Sequence, residues 1–580
     1  MRTDWSALKN GDSFDVVVIG AGGAGMSAAL FAAIDGEQKN AKVLLVEHTP
    51  CVGGTTAWSA GTTWIPGTHH AASVNPGDTL EAAAQYLDNA IGERSPRTLR
   101  QAFLENGAKA VRHAEAHSEL RYRPYARHPD YISDLPGSTL NGRALEPVPF
   151  DGRKLGKLLG LVRPPIPEFT VLGGMMVDRT DINHLLAMTK SWASFKHSVR
   201  IVLRHAIDRL THTRGTRLVM GNALAGRLLY SLSQRQNVSL LLETALDAIH
   251  RSAAGIESVT LLHKGERRTV KVLGGLVLAS GGFNRHPALR QQMVGTDTAW
   301  CPAAPGTTGA AQDLARAQGA QYGQANTAIK GSHAFWAPVS IRKRADGSQA
   351  VFPHFVMDRA KPGMLTVNQV GQRFVNESTS YHLFALAMQK AHETTPSIPA
   401  YLVCDARALR DYGLGMVRPG GKGLAPFIAE GYLTQAASID ELAHKLGIDA
   451  AGLQASVAQI NAFSETGLDT DFHRGETAYQ HNIGDATQGN KNPNLGALKE
   501  APFYALRLYP GDIGASTGLQ TNADAQVLDG SGAPIAGLYA VGNDMHSIMG
   551  GVYTAPGITL GPGLVFAYLA ARHALLRTGR

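Results

Sequence analysis

Gly20-Ala21-Gly22-Gly23-Ala24-Gly25, and a carboxylate 22 residues past its last glycine, Glu47, have the types and spacing that hold a dinucleotide. Gly20 permits a tight turn, Gly22 lets backbone approach a pyrophosphate, and Gly25 lets a helix sit close to a strand. The helix start at Gly23 and Ala24 aims its free amides at the anion. Glu47 can accept both hydroxyls of a ribose. Such a turn works only between a buried strand and a helix. Phe14-Asp15-Val16-Val17-Val18-Ile19 predicts the strand, Met26 to Ala33 the helix, and Lys42 to Val46 a second strand that delivers Glu47. Val16 to Ile34 carries no charge over 19 positions, long enough for a membrane span. Its clustered glycines, the preceding Asp15 and the missing basic flank favour strand, turn and helix instead.

NAD and FAD share this turn, so other segments must decide. Gly53, Gly54, Thr55, Thr56, Ser59, Ala60 and Gly61 form a small, hydroxyl-rich run that suits a loop laid along a second phosphate and a ribityl chain. A further apolar strand closes on Ala279-Ser280-Gly281, and another closes at Asn543. Strands ending on glycine turns so far apart imply one FAD wrapped by discontinuous chain. Gly557, Thr559 and Leu560 open an apolar helix whose first amides would face the flavin, and Ala245 completes the candidate FAD contacts. A noncovalent flavin is expected, because His48 is poorly spaced from Gly53 for a covalent link.

At 580 residues the chain holds two large domains or more. Lys and Arg number 55 against 47 Asp and Glu, an excess too mild to require a nucleic-acid partner. Three scattered cysteines, Cys51, Cys301 and Cys404, exclude a disulfide framework and a cysteine-held zinc or iron–sulfur site. No metal is expected, and the location expected is a reducing one, cytoplasmic or peripheral on the cytoplasmic membrane face.

Taken with Arg373-Phe374-Val375-Asn376-Glu377-Ser378, Ala501-Pro502-Phe503-Tyr504-Ala505 and Met549 to Gly557, these segments make the chain resemble the fumarate reductase/succinate dehydrogenase-type flavoproteins, and within them the 3-ketosteroid Δ1-dehydrogenases. The resemblance implies an α/β fold, a Rossmann-like discontinuous FAD-binding domain at 1–330 and 511–580, and an inserted α+β catalytic cap at 331–510. It also implies site residues. Tyr553 and Gly557 would grip a ketone oxygen through a phenol and an amide, Tyr381 would abstract a proton, and Tyr131 would support it. The sequence departs from the family at Thr554-Ala555, where Pro-Gly is usual, and at Asp544 and His546, where smaller residues are.

Desaturation beside a ketone needs loss of an α proton and a β hydride. Donors aimed at the carbonyl stabilise the developing enolate, a nearby phenol of depressed pKa takes the proton, and flavin N5 accepts the hydride. Expected partners are a small apolar substrate, a 3-ketosteroid or related cyclic ketone, and an external electron acceptor. Rival readings are a dicarboxylate enzyme using Arg373 and His333, a Δ4-type ketosteroid dehydrogenase, and a membrane-associated flavin sensor. The sensor reading uses a basic amphipathic segment at about 181–217. Leu185, Met188, Trp192, Phe195, Val199, Val202, Ala206 and Leu210 recur there every three to four residues among basic side chains. Such a helix either docks on its own domain with its basic face in water, or lies on an anionic membrane through the stretch 185–217. The Gly- and Asn-rich stretch 482–498 reads as an exposed loop.

Overall fold

The computed structural model describes residues 4–324 and 331–579, so the expected domain junction at 330 lies outside the described residues. The charge-free stretch forms the strand Ser13–Ile19 and the helix Gly23–Asp35, joined by the glycine turn. Five strands, Val238–Leu241, Val43–Val46, Ser13–Ile19, Glu266–Leu278 and Pro534–Ala540, lie side by side in parallel. Val16, Val17 and Val18 are wholly buried because a central parallel strand is covered on both faces. Glu266–Leu278 outruns its parallel partners, and its first half pairs antiparallel with Gly255–His263, which pairs with Thr244–Ser252. The strand after the cap therefore docks beside one laid down before it, so the nucleotide-binding sheet is sewn from both ends of the chain.

Between them stands a second, antiparallel sheet in the order Gln349–Pro353, Ala334–Lys343, Phe503–Ala515, Ala400–Cys404 and Met364–Val367, with Thr434–Ala436 added on Phe503–Ala515. The 13-residue strand Phe503–Ala515 runs through the expected boundary at 510, because its last residue still pairs with Ala334.

Two sequence expectations need correction. In the stretch 482–498, Asn492, Asn494, Leu495 and Leu498 are buried. The Asn494 amide donates to the carbonyls of Ala360 and Gln480, so this asparagine staples chain inside the cap. The basic segment forms the helices Arg179–Leu186 and Trp192–Asp208, and of its apolar stripe Leu185 and Val202 are partly buried, against the small cluster of Met175, Val177 and Ile201, while most of the rest faces out. Ser194, Ser198, Ile201, His205 and Asp208 face the protein, and Trp192 is 76% exposed. Among the described residues no helix is long and apolar enough to cross a membrane.

Candidate active site

The nucleotide turn is fixed by backbone sterics. Gly20 has a φ of +103°, and a β-carbon there would lie 2.3 Å from the Ala279 carbonyl oxygen. One on Gly25 would lie 1.8 Å from the Gly20 carbonyl oxygen. Only hydrogen fits at either position. The Gly53 amide donates to Ala21 O at 2.7 Å, and Thr56 Oγ1 accepts from the Gly23 amide at 3.2 Å, which ties the second loop to the first. Glu47 accepts from the Ala21 amide at 2.8 Å and from the amide and hydroxyl of Thr49 at 2.9 and 2.7 Å. A carboxylate offers about four acceptor positions, so capacity for ribose hydroxyls is left. Ala245 follows Thr244, whose amide donates to Glu47 O at 3.0 Å, on the same side as the ribose acid. The Thr55 hydroxyl accepts from the Ala304 amide, which leaves its own O–H to donate elsewhere, whereas Ser59 accepts from Gly61 and donates to Thr56 O.

Asp544, a departure with no assigned role in the sequence, is fully buried and holds the third turn. Its carboxylate accepts from the Ser280 amide, from Ser280 Oγ at 3.0 Å and from the Gly282 amide at 3.0 Å. Burial raises its pKa against these donors. The Ser280-Gly281 turn is thereby pinned beside Gly20. His546 lies apart from this, half-buried near His333, and desolvation pushes its pKa down to about 4.

FAD fits this cradle. A β-carbon on Gly22 would meet nothing within 4 Å, and one on Gly54 would meet only Gly22 Cα, at 3.5 Å. The two loops thus present open, side-chain-free backbone to a pyrophosphate. Gly557 is buried with a φ of +90°, and its β-carbon would sit 2.4 Å from Thr62 O. Its carbonyl accepts from the Trp64 and Gly561 amides. Among the described residues its own N–H makes no backbone hydrogen bond, and a buried donor of that kind calls for an acceptor from outside the protein.

Three phenols from distant chain stand together in the interior. Tyr131, Tyr381 and Tyr553 are all buried, with ring centroids 5.2 to 5.8 Å apart. The hydroxyl of Tyr131 donates to that of Tyr381 at 3.2 Å, and the hydroxyls of Tyr381 and Thr559 lie against the Tyr553 phenol. Each phenol is placed by other groups. Tyr381 opens the helix Tyr381–His392, capped by Ser380, and so stands at its positive end. The Thr554 carbonyl accepts from the Tyr131 amide at 2.9 Å and from the Tyr86 hydroxyl at 2.5 Å, which locks the Tyr553 segment to the Tyr131 segment.

Sequence reasoning missed the rest of the shell. Tyr479 packs on Tyr131 at 4.7 Å, Phe355 on Tyr381 at 4.8 Å and Phe335 on Tyr553 at 5.1 Å, giving an apolar aromatic box. His382 accepts the Trp336 amide on Nδ1 and donates from Nε2 to Gly551 O at 3.1 Å. Burial pushes its pKa down to about 4, so it is neutral at ordinary pH. Its one sequence signal was its place directly after Tyr381.

The expected depression of a phenol pKa is overturned. Burial and neighbouring phenols hold Tyr381 well above 10, Tyr131 likewise, and Tyr553 is raised by burial. The counterweight is Arg359, fully buried and within electrostatic reach of Tyr131, Tyr381 and Tyr479. It opposes the rise at Tyr479, which burial pushes up to about 12. Arg359 is not a substrate arginine, because it donates to the carbonyls of His354, Phe355, Glu377 and Thr379. Arg373, offered to the dicarboxylate reading, is sealed between Glu377 and Asp469 at 2.9 and 2.7 Å. His333 bonds Thr517 Oγ1 at 3.1 Å. No uncommitted arginine stands in the aromatic box among these residues.

A family described as FAD binding domain matches residues 15–560. The 4-oxocyclohex-2-ene-1-carboxylate 5-dehydrogenase of Sinomonas cyclohexanicum is 33% identical, over 96% of this chain and 93% of its own. The 3-oxosteroid 1-dehydrogenase of Mycolicibacterium smegmatis is 32% identical over 97% of both chains. A crystal structure of 3-ketosteroid Δ1-dehydrogenase from Sterolibacterium denitrificans, in complex with 1,4-androstadiene-3,17-dione, superposes with a TM-score of 0.89 at 30% identity, covering 97% of this chain and all of that one. With its backbone cradle and phenol cluster, the chain is an FAD-dependent oxidoreductase of the FAD binding domain family and a relative of the 3-ketosteroid dehydrogenases.

Proposed function

We propose that this enzyme desaturates the 1,2-position of a 3-ketosteroid. The observation that carries the reading is the convergence of Tyr131, Tyr381 and Tyr553, from distant stretches of chain, in one buried cluster. FAD, held by the Gly20–Gly25 turn, Glu47, the 53–61 loop and the Ser280-Gly281 turn, supplies the hydride acceptor that an external oxidant renews. The Tyr553 hydroxyl and the Gly557 amide donate to the ketone oxygen, more strongly as charge develops on it. Tyr381, as its phenolate, takes the α proton, and the hydrogen bond that Tyr131 donates to its oxygen at 3.2 Å steadies that phenolate. The aromatic box excludes water and matches a flat, apolar ring system. The helix start and the Arg359 charge favour the phenolate, the form in which Tyr381 can accept a proton.

The similarity to the cyclohexene-carboxylate enzyme supports a second reading, the same α,β-desaturation on a single ring bearing a carboxylate. Dye-coupled oxidation of a 3-ketosteroid panel, 4-oxocyclohexanecarboxylate and succinate by the wild type and Tyr553→Phe separates them. The steroid reading expects turnover on steroids alone, with kcat depressed in the variant. Turnover confined to the monocyclic acid favours the second reading, and turnover of succinate sinks both.

A further inference from the structure

Away from the flavin cradle, three side chains with metal-binding atoms converge on one point. The Nε2 nitrogens of His69 and His70 face the carboxylate of Glu115, at 3.1 Å from Oε2 for His69 and 3.0 Å from each oxygen for His70. The two rings lie side by side with centroids 4.0 Å apart, and the ligand atoms of the three residues all fall within 4.8 Å of one another. His70 precedes the one-turn helix Ala71–Ser73, whereas Glu115 stands in the last turn of the helix Arg97–His117, 45 residues further on. Spacing along the chain therefore does not reveal the group. Glu115 is its pivot. The Tyr122 amide donates to Glu115 Oε1 at 2.8 Å, which fixes the carboxylate and leaves Oε2 to the imidazoles. The carbonyl end of a helix, where this carboxylate sits, also favours positive charge.

Donor type and spacing select the occupant. Two imidazoles and one carboxylate suit zinc and its first-row neighbours, whereas magnesium and calcium take oxygen ligands. A tetrahedral ion with bonds of about 2.0–2.1 Å holds its ligands roughly 3.3 Å apart. The contacts of 3.0 and 3.1 Å need open only slightly to admit one. The His69 side chain is 42% exposed, so an ion enters from solvent and water can complete its fourth position. The Tyr122 amide already gives the carboxylate the outer hydrogen bond that orients a metal ligand. We propose that His69, His70 and Glu115 form a site for a zinc-class ion, which ties the loop after Trp64 to the end of the helix Arg97–His117. A single carboxylate supplies the negative charge and Arg112 lies within electrostatic reach of His69, so the affinity expected is micromolar. The same loop carries Asp78, which bonds Arg143, and Arg143 bonds Asp130 beside Tyr131. The ion thus braces the shell behind the phenols without touching the reacting atoms.

The test is calorimetric titration of the chelator-stripped, FAD-loaded full chain with zinc, with cobalt(II) as a spectroscopic probe and magnesium as the control. One zinc per chain, the visible absorption bands of four-coordinate cobalt and no heat from magnesium are expected. Zinc should also raise the melting temperature by a few degrees, because it binds the folded state alone. His69→Ala removes an exposed ring and should fold as the wild type does, yet weaken zinc by at least about tenfold and cancel the thermal shift. Glu115→Gln keeps an oxygen for the Tyr122 amide and should weaken zinc to a similar extent. Absence of binding at millimolar zinc overturns the inference and leaves the group as hydrogen-bonded histidines on a glutamate. Zinc binding that neither variant weakens also overturns it, since that zinc lies elsewhere on the chain. None of these measurements reads turnover, so their failure is distinct from failure of the ketosteroid reading.

Discussion

The nucleotide turn and the phenol cluster are built by opposite means. The turn is contiguous backbone, and its shape depends on atoms that are missing at Gly20, Gly22 and Gly25. The cluster is side chain, gathered from positions 131, 381 and 553, and it depends on hydroxyls at the ends of rings that already fill their space. An added carbon therefore breaks the first region through the fold at Gly20 or Gly25 and through the seat of the pyrophosphate at Gly22, while a removed oxygen harms the second through the rate alone.

The largest effect tests the first half of that contrast. Gly25→Ala places a β-carbon 1.8 Å from a backbone oxygen that cannot yield. Insoluble protein, or soluble protein without the yellow flavin absorbance, is expected. Gly22→Ala sharpens the point, because its β-carbon meets no protein atom within 4 Å. That variant should fold with a melting temperature near wild type yet lose FAD affinity by tenfold or more, since the carbon occupies the space left for the pyrophosphate. Equal damage from the two would break the distinction between sterics of folding and sterics of binding.

In the cluster, Tyr381→Phe should lower kcat by roughly 10²–10⁴-fold, the usual worth of a positioned proton acceptor, with FAD content unchanged. The pH dependence has a definite sign. Because the phenol lies well above its ordinary pKa of about 10, it is protonated at neutral pH, and its basic form grows as pH rises. The wild-type kcat/KM should climb from about pH 7 to 9 without reaching a plateau, and the residual rate of the variant should be flat. A wild-type plateau near neutrality would mean that bound FAD and substrate lower this pKa far more than Arg359 and the helix start do.

Tyr553→Phe follows, at roughly 10²–10³-fold in kcat by analogy with the loss of one oxyanion donor. KM should move little, because the bond tightens only as charge develops on the ketone. A rise in KM with kcat intact would leave Tyr553 as a binding residue and shift the burden of charge stabilisation to the Gly557 amide.

The same contrast decides what the sequence made legible. A backbone motif is local, so the strand, the glycine turn, the helix and Glu47 are all visible in residues 13–47. Tyr553 and Gly557 are legible for a similar reason, being four residues apart. The aromatic box is not legible. Tyr479, Phe335 and Phe355 reach it only because the cap folds over, and nothing near them in the chain distinguishes them from core residues. The docked face of the Trp192–Asp208 helix was hidden differently. Periodicity reveals that a helix has two faces, but the choice between them was made by Asp151, Asp181, Thr216 and the Leu172 carbonyl, all outside the helix. In the stretch 482–498 the loop was legible and 486–489 are exposed, but the burial of Asn492, Asn494, Leu495 and Leu498 was not, because Asn and Gly signal loops whether or not the loop is later buried.

Asp544 lies between the two regions and gives the smallest effect, for it is a side chain that shapes backbone. Replacing it with Asn keeps its size and removes its charge. The carboxylate meets three donors, two amides and a hydroxyl. A carboxamide can accept from some of them but must turn an NH2 toward the others. Hydrogen bonds to a charged group are worth about 1.5–3 kcal/mol, so the Ser280-Gly281 turn should loosen without unfolding the sheet beneath it. Roughly tenfold weaker FAD binding is expected, with kcat at saturating FAD within a fewfold of wild type, read by titrating apoprotein with FAD and assaying the reloaded enzyme. A loss of kcat that FAD does not restore would place Asp544 with the phenols, whereas the bonds it makes place it with the glycines.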